Sequence, residues 1–572
     1  MKIIKHSGIV AAAATVAILG LTSGCQQNSA AWAQFAQSTV DEYYSMNPNL
    51  AVDAGLHQYD GMVPDMSQEA IRQRSAWLTA KRETARSFAD ADLSKSQRFE
   101  KQHLLAVIDG FLFWLEEARW PAVNPVFYAG AIDPGPYVTR DYAPLAQRMI
   151  AFTSMAAKVP LLVEQAIGNL EPPLPRTYIA MGRIAFGGLA SFFEDDVPAV
   201  FAAVDDPALQ QAFSDSVQVA VAALHQFDDY LQDLETTATD DFALGAERYK
   251  AMLWRTSRVD ILLDNLEAAG RADLARNQAA LESACEALTP EGSITDCIDL
   301  VMNDKPSDGA VEEARRQLAG LKALVISEKL VSIPGTQEAL VDISPPFMRW
   351  NSAFISIPGP FEQGLPSIYY ISPPDPSWSP EDQLAYVPGK MDLMFISVHE
   401  VWPGHFLHFL HSNQTESVIG RAFSNYAFTE GWAHYSEELM WEAGLGDGDP
   451  ATQIGQLLNA LLRNVRFLVS IGMHTQGMTV AQAETMFMEQ AYQDPGNARQ
   501  QAARGTFDPG FLNYTLGKLM IRQLRTEWTA SRGGRAAWQK FHDEFLSYGA
   551  PPIALVRQSM LGDDAGPALQ LP

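Results

Sequence analysis

Between Met394 and Glu438 the chain carries three groups able to ligate a metal ion, and one able to act as a base beside it. The first part reads MFISVHEVWPGHFLHFLH and holds His399, Glu400 and His405; the second reads FTEGWAHYSEE and holds Glu430. A hydrolytic zinc helix ordinarily carries HExxH, which puts two histidines at i and i+4 on one face. Here Pro403 occupies i+4 from His399, and the next histidine, His405, comes at i+6. On a regular helix that residue is turned roughly 120° from the first. Pro403 has no N–H and clashes with the preceding turn, while Gly404 relaxes the backbone. Two extra residues taken up in a bulge would restore an effective i+4 relation, and wide turns of this kind occur at functional sites.

Glu430 lies 25 residues beyond His405, at the start of a predicted helix. A carboxylate from a following helix completes a His₂Glu set for one Zn²⁺ per chain, with one position open for water. Glu400, next to a ligand, is placed to take a proton from that water and deliver it to a leaving amine. His434 and Glu437 share the helix face of Glu430 and are candidate partners of the ligands, or contacts for substrate.

The elements that must position these groups read as mainly α, a large helical body enclosing a cleft. Helical spacing predicts helices at 67–88, 97–120, 145–166, 177–193, 207–234, 259–288 and 310–328. It predicts further helices at 392–412, 427–443, 450–474, 480–492, 509–531 and 535–548. Asp206 before Pro207 is a helix start, an acceptor at the cap followed by proline in the first turn. From 331 to 390 proline recurs, and the runs 353–357 and 367–371 predict a small sheet or hairpin beside the metal helix. An edge strand there can hold an extended peptide through its main chain. Residues 26–572 read as one helical domain, with a conceivable division into 26–330 and 331–572.

The N-terminus reads as a targeting segment. Lys2 and Lys5 precede the short apolar run Ile9 to Leu21, then Thr22, Ser23, Gly24 and Cys25. The pattern is that of a bacterial lipoprotein signal over residues 1–25, with Cys25 the lipidated first residue of the mature chain. The expected place is therefore outside the cytoplasm, lipid-anchored in the cell envelope and facing the periplasm. The net charge is −27; loss of Lys2 and Lys5 with the signal makes it −29, since that segment has no acid. So acidic a body repels nucleic acid. Cys285 and Cys297 are close enough in sequence to close a short disulfide loop in an oxidising compartment.

The segments HEVWPGHFLH and TEGWAHYSEE together resemble the bacterial family known as domain of unknown function 885. The resemblance extends to NPNLAVDAGLHQYDG at Asn47 to Gly61 and GLPSIYYISPPDPSWSP at Gly364 to Pro380. It continues through IGMHTQGMTVAQAE at Ile471 to Glu484 and DPGFLNYTLGKLMIRQLR at Asp508 to Arg525. The chain departs from the family at Phe406 and His408, where His and Gln are common. The family is similar to gluzincin metallopeptidases. The resemblance implies His399 and His405 as ligands with Glu430 the downstream acid, and His474 and Tyr514 as polar groups facing the cleft. Chemistry gives the last two a role as donors to a developing oxyanion. Arg504, Lys518 and Arg522 are candidates for binding a substrate carboxylate. The function expected is a zinc-dependent hydrolase of short peptides. A metal-binding surface lipoprotein without catalysis, or a metal-dependent hydrolase of another amide or ester, remains open at this level.

Overall fold

The computed structural model describes residues 10–345, 348–349, 352–562, 565–567 and 569, with side chains from residue 28 onward. The start of the signal segment and the side chain of Cys25 lie outside the described residues. Helix accounts for 71% of the chain, and the strands form one small sheet, so the mainly α reading holds.

Helix starts follow local chemistry. Asp206 Oδ1 accepts from the N–H groups of Ala208 and Leu209, each at 3.0 Å, as its place before Pro207 predicts. The same device begins three helices around the candidate site. Asn425 caps Tyr426–Glu442, Asp449 caps Pro450–Thr475 and Asp494 caps Pro495–Phe507. The last helix is absent from the sequence reading because NARQQAARG shows no apolar period; the Asp494–Pro495 cap was its only local sign. Two expected helices are each divided. Residues 145–166 form Leu145–Ala156 and Val159–Asn169, with Pro160 opening the second. Residues 392–412 form Lys390–Glu400 and His405–Ser412.

The sheet has three strands, β1 (Ala339–Ile343), β2 (Ala353–Ser356) and β3 (Ser367–Ile371), in the order β1-β3-β2. β3 is central, parallel to β1 and antiparallel to β2, with Ile355 opposite Tyr369. The predicted pair β2 and β3 is therefore joined by β1, which ALVDI is too short and too exposed to announce. Tyr369 is fully buried, and its hydroxyl lies 3.4 Å from Ser397 Oγ on the Lys390–Glu400 helix, fixing the sheet against that helix.

The largest apolar cluster draws on both sides of residue 330, including Leu281, Val325, Val398, Trp432 and Leu461. A second cluster, from Val52 to Leu231, packs the N-terminal helices on themselves. A disulfide joins Cys285 to Cys297 across 12 positions of sequence. Closing a loop of that size stabilises a fold by about 3 kcal/mol on chain-entropy grounds. The Cys285→Ser, Cys297→Ser double variant should melt below the wild type, and reductant should lower the wild-type midpoint to the same value. An unchanged midpoint would mean the bridge carries no stability.

Candidate metal centre

The Lys390–Glu400 helix stops because Pro403 cannot donate to its ladder. Val401 leaves helical geometry, at φ −123° and ψ −73°, and a new helix begins at His405. Between them the chain makes a wide turn. Gly404 N–H donates to Val398 O at 3.0 Å and Leu407 N–H to Val401 O at 3.4 Å, each bond spanning six residues. The expected bulge within one continuous helix is thus corrected to a full break between two helices. Gly404 packs directly on the carbonyl of His399, and a Cβ there would stand 1.8 Å from that oxygen. Only glycine fits. The orphaned carbonyl of Pro403 is satisfied by Trp432 Nε1 at 2.8 Å, which ties the break to the helix carrying Glu430.

That break brings the two histidines together. Their ring centroids lie 4.8 Å apart with planes at 89°. Glu430 Oε2 stands 3.3 Å from His399 Nε2 and 3.4 Å from His405 Nε2. It is closed off from solvent yet accepts no well-aligned hydrogen bond. Ligands held about 2.0–2.1 Å from one tetrahedral ion stand roughly 3.3 Å apart, so the spacing fits a shared cation. Ligand atoms of His399, Glu400 and His405 also lie within 4.8 Å of one another. This cluster can hold a metal ion.

Neighbouring groups fix the cluster's orientation. His399 Nδ1 lies 2.7 Å from Glu437 Oε1, and the other oxygen of Glu437 lies 3.1 Å from His434 Nδ1. Arg463 stands 3.5 Å from the same carboxylate. Burial works against the charge on Glu437, but Arg463, His434 and His399 overcome it and hold the carboxyl well below its usual range. An ionised Glu437 selects the His399 tautomer that leaves Nε2 free. Without a metal, burial pushes His399 down, but Glu430 and Glu437 outweigh it and hold the ring up at about 9. Glu400 is pushed up, chiefly by burial and against the pull of His405 and His399. Its Oε2 accepts from Ile355 N–H of β2 at 3.1 Å. A carboxyl held in place and raised in pKa suits proton transfer.

Tyr514 also belongs here. Its ring stacks on that of His399 at 6.3 Å, and burial with the charge of Glu430 pushes its hydroxyl up. The helices bearing Glu430 and Tyr514 cross where Gly431 meets Gly517, so close that a Cβ on Gly517 would lie 1.9 Å from Ala427 O. Arg504 lies nearby, donating to Tyr426 Oη at 2.9 Å and paired with Asp508 at 3.0 Å.

Three expected site residues stand elsewhere. His474 is fully buried, its Nε2 2.8 Å from Gly505 O and its Nδ1 accepting from Leu244 N–H at 3.3 Å. Both ring nitrogens serve the backbone, so the expected oxyanion role is corrected to a structural clamp. Lys518 is fully buried, 2.5 Å from Asp273 and 3.7 Å from Glu438. Arg522 faces the same two carboxylates at 3.5 and 3.3 Å. Their charges are matched within the helix packing and are not free for a substrate carboxylate. Arg463 and Arg466 are not among the expected site residues; two arginines in the largely apolar run LLNALLRNVRFLVSIG are the available sign.

Fold and site together define a mainly helical protein with a candidate metal centre built from a His–Glu pair, a second histidine beyond a wide turn, and a carboxylate from the next helix. The chain belongs to the family of bacterial proteins of unknown function designated DUF885, whose profile matches residues 48–560. It is similar to a solved lipoprotein candidate of unknown function from Shewanella oneidensis, at 23% identity and TM-score 0.78, covering 93% of this chain and 99% of that one. A lipoprotein candidate from Colwellia psychrerythraea matches at 19% identity and TM-score 0.79, covering 94% and 98%. A Pyrococcus furiosus carboxypeptidase aligns at 14% identity over 82% of this chain and 96% of that one, with a TM-score of 0.32, too low to carry an argument. No curated protein matches the chain.

Two outcomes test this geometry. Gly404→Ala should lower stability by several kcal/mol, since backbone must move to admit the methyl group, and should abolish stoichiometric zinc binding in a metal titration. Wild-type zinc uptake by that variant would show that the wide turn does not set the site. Glu438 provides a pH test. Burial raises its pKa, but Lys518, Arg522 and Arg276 outweigh it and hold the carboxyl at about 2, below its ordinary 4.5. Its ionised form therefore stabilises the fold above pH 4.5, and that contribution fades as pH falls towards 2. Glu438→Gln should be less stable than wild type at neutral pH and lose less stability between those limits, measured by denaturation at each pH.

Proposed function

We propose that the protein is a zinc-dependent peptidase of the cell envelope that hydrolyses short peptides. The observation carrying this reading is the approach of both histidine Nε2 atoms to a Glu430 oxygen that is closed off from solvent and accepts no well-aligned hydrogen bond, with the Glu400 carboxylate alongside. His399, His405 and Glu430 would hold the metal. A bound zinc ion there acts as a Lewis acid, polarising the scissile carbonyl and lowering the pKa of the attacking water.

Glu400 accepts the proton of that water and returns it to the departing amine. Its bond to Ile355 N–H keeps one oxygen fixed, so the other is the one that meets the water. Tyr514, whose hydroxyl stays protonated, donates to the carbonyl oxygen as negative charge develops. Glu437 keeps His399 in one tautomer through the cycle. Because Ile355 N–H points away from β3 to Glu400, the Ile355 carbonyl and the backbone groups of Ala353 are what line the outer edge of β2. That edge supports an extended peptide by strand addition.

The envelope location rests on the N-terminal segment ending at Cys25, and on the description of the two solved relatives as lipoprotein candidates. Lipidation of Cys25, with a second membrane-directed contact, would anchor the protein.

Glu400→Gln should keep one zinc per chain and lose about 10³-fold or more in peptide kcat/KM, the scale of a lost general base. His405→Ala should lose the zinc itself. A fully active Glu400→Gln enzyme would overturn the mechanism. Zinc at one per chain with no cleavage in a peptide library would point instead to a metal-binding role or a different hydrolytic substrate. Tyr514→Phe should lower kcat by about 10²-fold with little change in KM, as removal of an oxyanion donor does.

A further inference from the structure

The helix Pro450–Thr475 is buried along most of its length, yet it carries two arginines inside. Arg463 is neutralised by Glu437. Arg504, on a neighbouring helix, is neutralised by Asp508. Arg466 is only 8% exposed and has no carboxylate partner among the described residues. Its Nε donates to Gln501 Oε1 at 2.8 Å, and its guanidinium lies 5.1 Å from the centre of the Tyr514 ring and 5.7 Å from that of Phe511. Its two terminal nitrogens make no hydrogen bond among the described residues, and unlike Arg463 Nε they are not sealed in the interior.

A buried guanidinium with no counter-charge is unfavourable, and proteins keep such charges paired unless something else completes them. Burial, with Arg504 adding its repulsion, pushes Arg466 down to about 10. The bond to Gln501 fixes the plane of the fork and leaves its outer pair of nitrogens for a bidentate anion. The Tyr514 ring that Arg466 overlies is the one stacked on His399. The two separations of 5.1 and 6.3 Å place the guanidinium carbon within about 11 Å of the His399 ring. An extended chain, at roughly 3.3–3.6 Å per residue, covers that distance in about three residues.

We infer that Arg466 anchors the free C-terminal carboxylate of a peptide whose scissile bond sits at His399, His405 and Glu430, so that the substrates are extended peptides cut within about three residues of a free C-terminus. The inference deepens the peptidase reading and rests on it. One water is consumed: its oxygen forms the new carboxylate of the N-terminal fragment, the C–N bond breaks, and a fragment of one to three residues leaves as the amine, protonated by Glu400.

The test separates binding from turnover. A dipeptide capped at its N-terminus with a hydroxamate, which grips zinc, is made as the C-terminal acid and as the C-terminal amide. Calorimetry on the zinc-loaded full chain should show the acid binding about 10- to 100-fold tighter than the amide, the scale of a charge-assisted hydrogen-bonded pair. In Arg466→Gln the ratio should fall to about 1, and in Arg466→Lys it should be intermediate, since lysine keeps the charge without the fork. Removing an unpaired buried charge should leave the melting midpoint level or raised. Should Arg466→Gln not fold, the lysine variant decides alone, a wild-type ratio there counting against the anchor. Equal binding of acid and amide by wild type, or an acid preference retained in zinc-loaded Arg466→Gln, overturns the anchor. Peptide acids and amides are assayed for cleavage in parallel. Acid preference in binding without cleavage of any peptide overturns the peptidase reading and upholds the anchor. Equal cleavage of acids and amides upholds the peptidase and overturns the anchor.

Discussion

The contact of Gly404 with the carbonyl of His399 is the constraint on which the site depends. A regular helix would carry His405 away from His399. The chain instead abandons the helix at Glu400 and folds Gly404 N–H back to Val398 O, then starts again with His405 as the first helical residue. No side chain fits between Gly404 and the carbonyl it covers. Trp432 then holds the break by donating to Pro403 O, and Trp432 sits two residues from Glu430 on the same helix. The turn that brings the histidines together is thereby tied to the element that carries the third candidate ligand.

A second close approach places the remaining groups. Where Gly431 meets Gly517, two helices cross almost backbone to backbone, which sets Tyr514 beside Glu430 and His399. Below the crossing lies an ion network of Asp273, Lys518, Glu438, Arg276 and Arg522. Buried ion pairs add little net stability over apolar packing, but breaking one leaves an uncompensated charge, so the network fixes the register of three helices. The charges nearest the candidate centre differ in this respect. Glu437 is matched by Arg463 and His434, whereas Arg466 meets the amide of Gln501 and the Tyr514 ring and has no carboxylate partner among the described residues.

Much of this was legible in sequence, for reasons that differ from residue to residue. The mainly α architecture follows from apolar periodicity, and the convergence of His399, His405 and Glu430 from the chemistry of the residues around Pro403 and Gly404. Glu437 and His434 could be placed near the candidate ligands because helix geometry puts i, i+4 and i+7 on one face. Lys518 and Arg522 take part in ion pairs and not in the expected substrate contact, because sequence shows a cation without showing its partner. Asp273, which binds both, lies about 245 residues away in the chain. His474 departs from its expected role for a similar reason: the backbone groups of Leu244 and Gly505 that clamp it carry no identity in sequence. The strand β1 and the helix Pro495–Phe507 escaped because neither has an apolar rhythm, and tertiary packing and a cap decide them instead.

The most direct measurement is the zinc K-edge X-ray absorption spectrum of the full chain loaded with one equivalent of the metal. The expected spectrum shows two imidazole nitrogens at about 2.0–2.1 Å with oxygen completing the set, and one imidazole fewer on whatever zinc His405→Ala retains. A shell of oxygen alone, or one unchanged in His405→Ala, would contradict it.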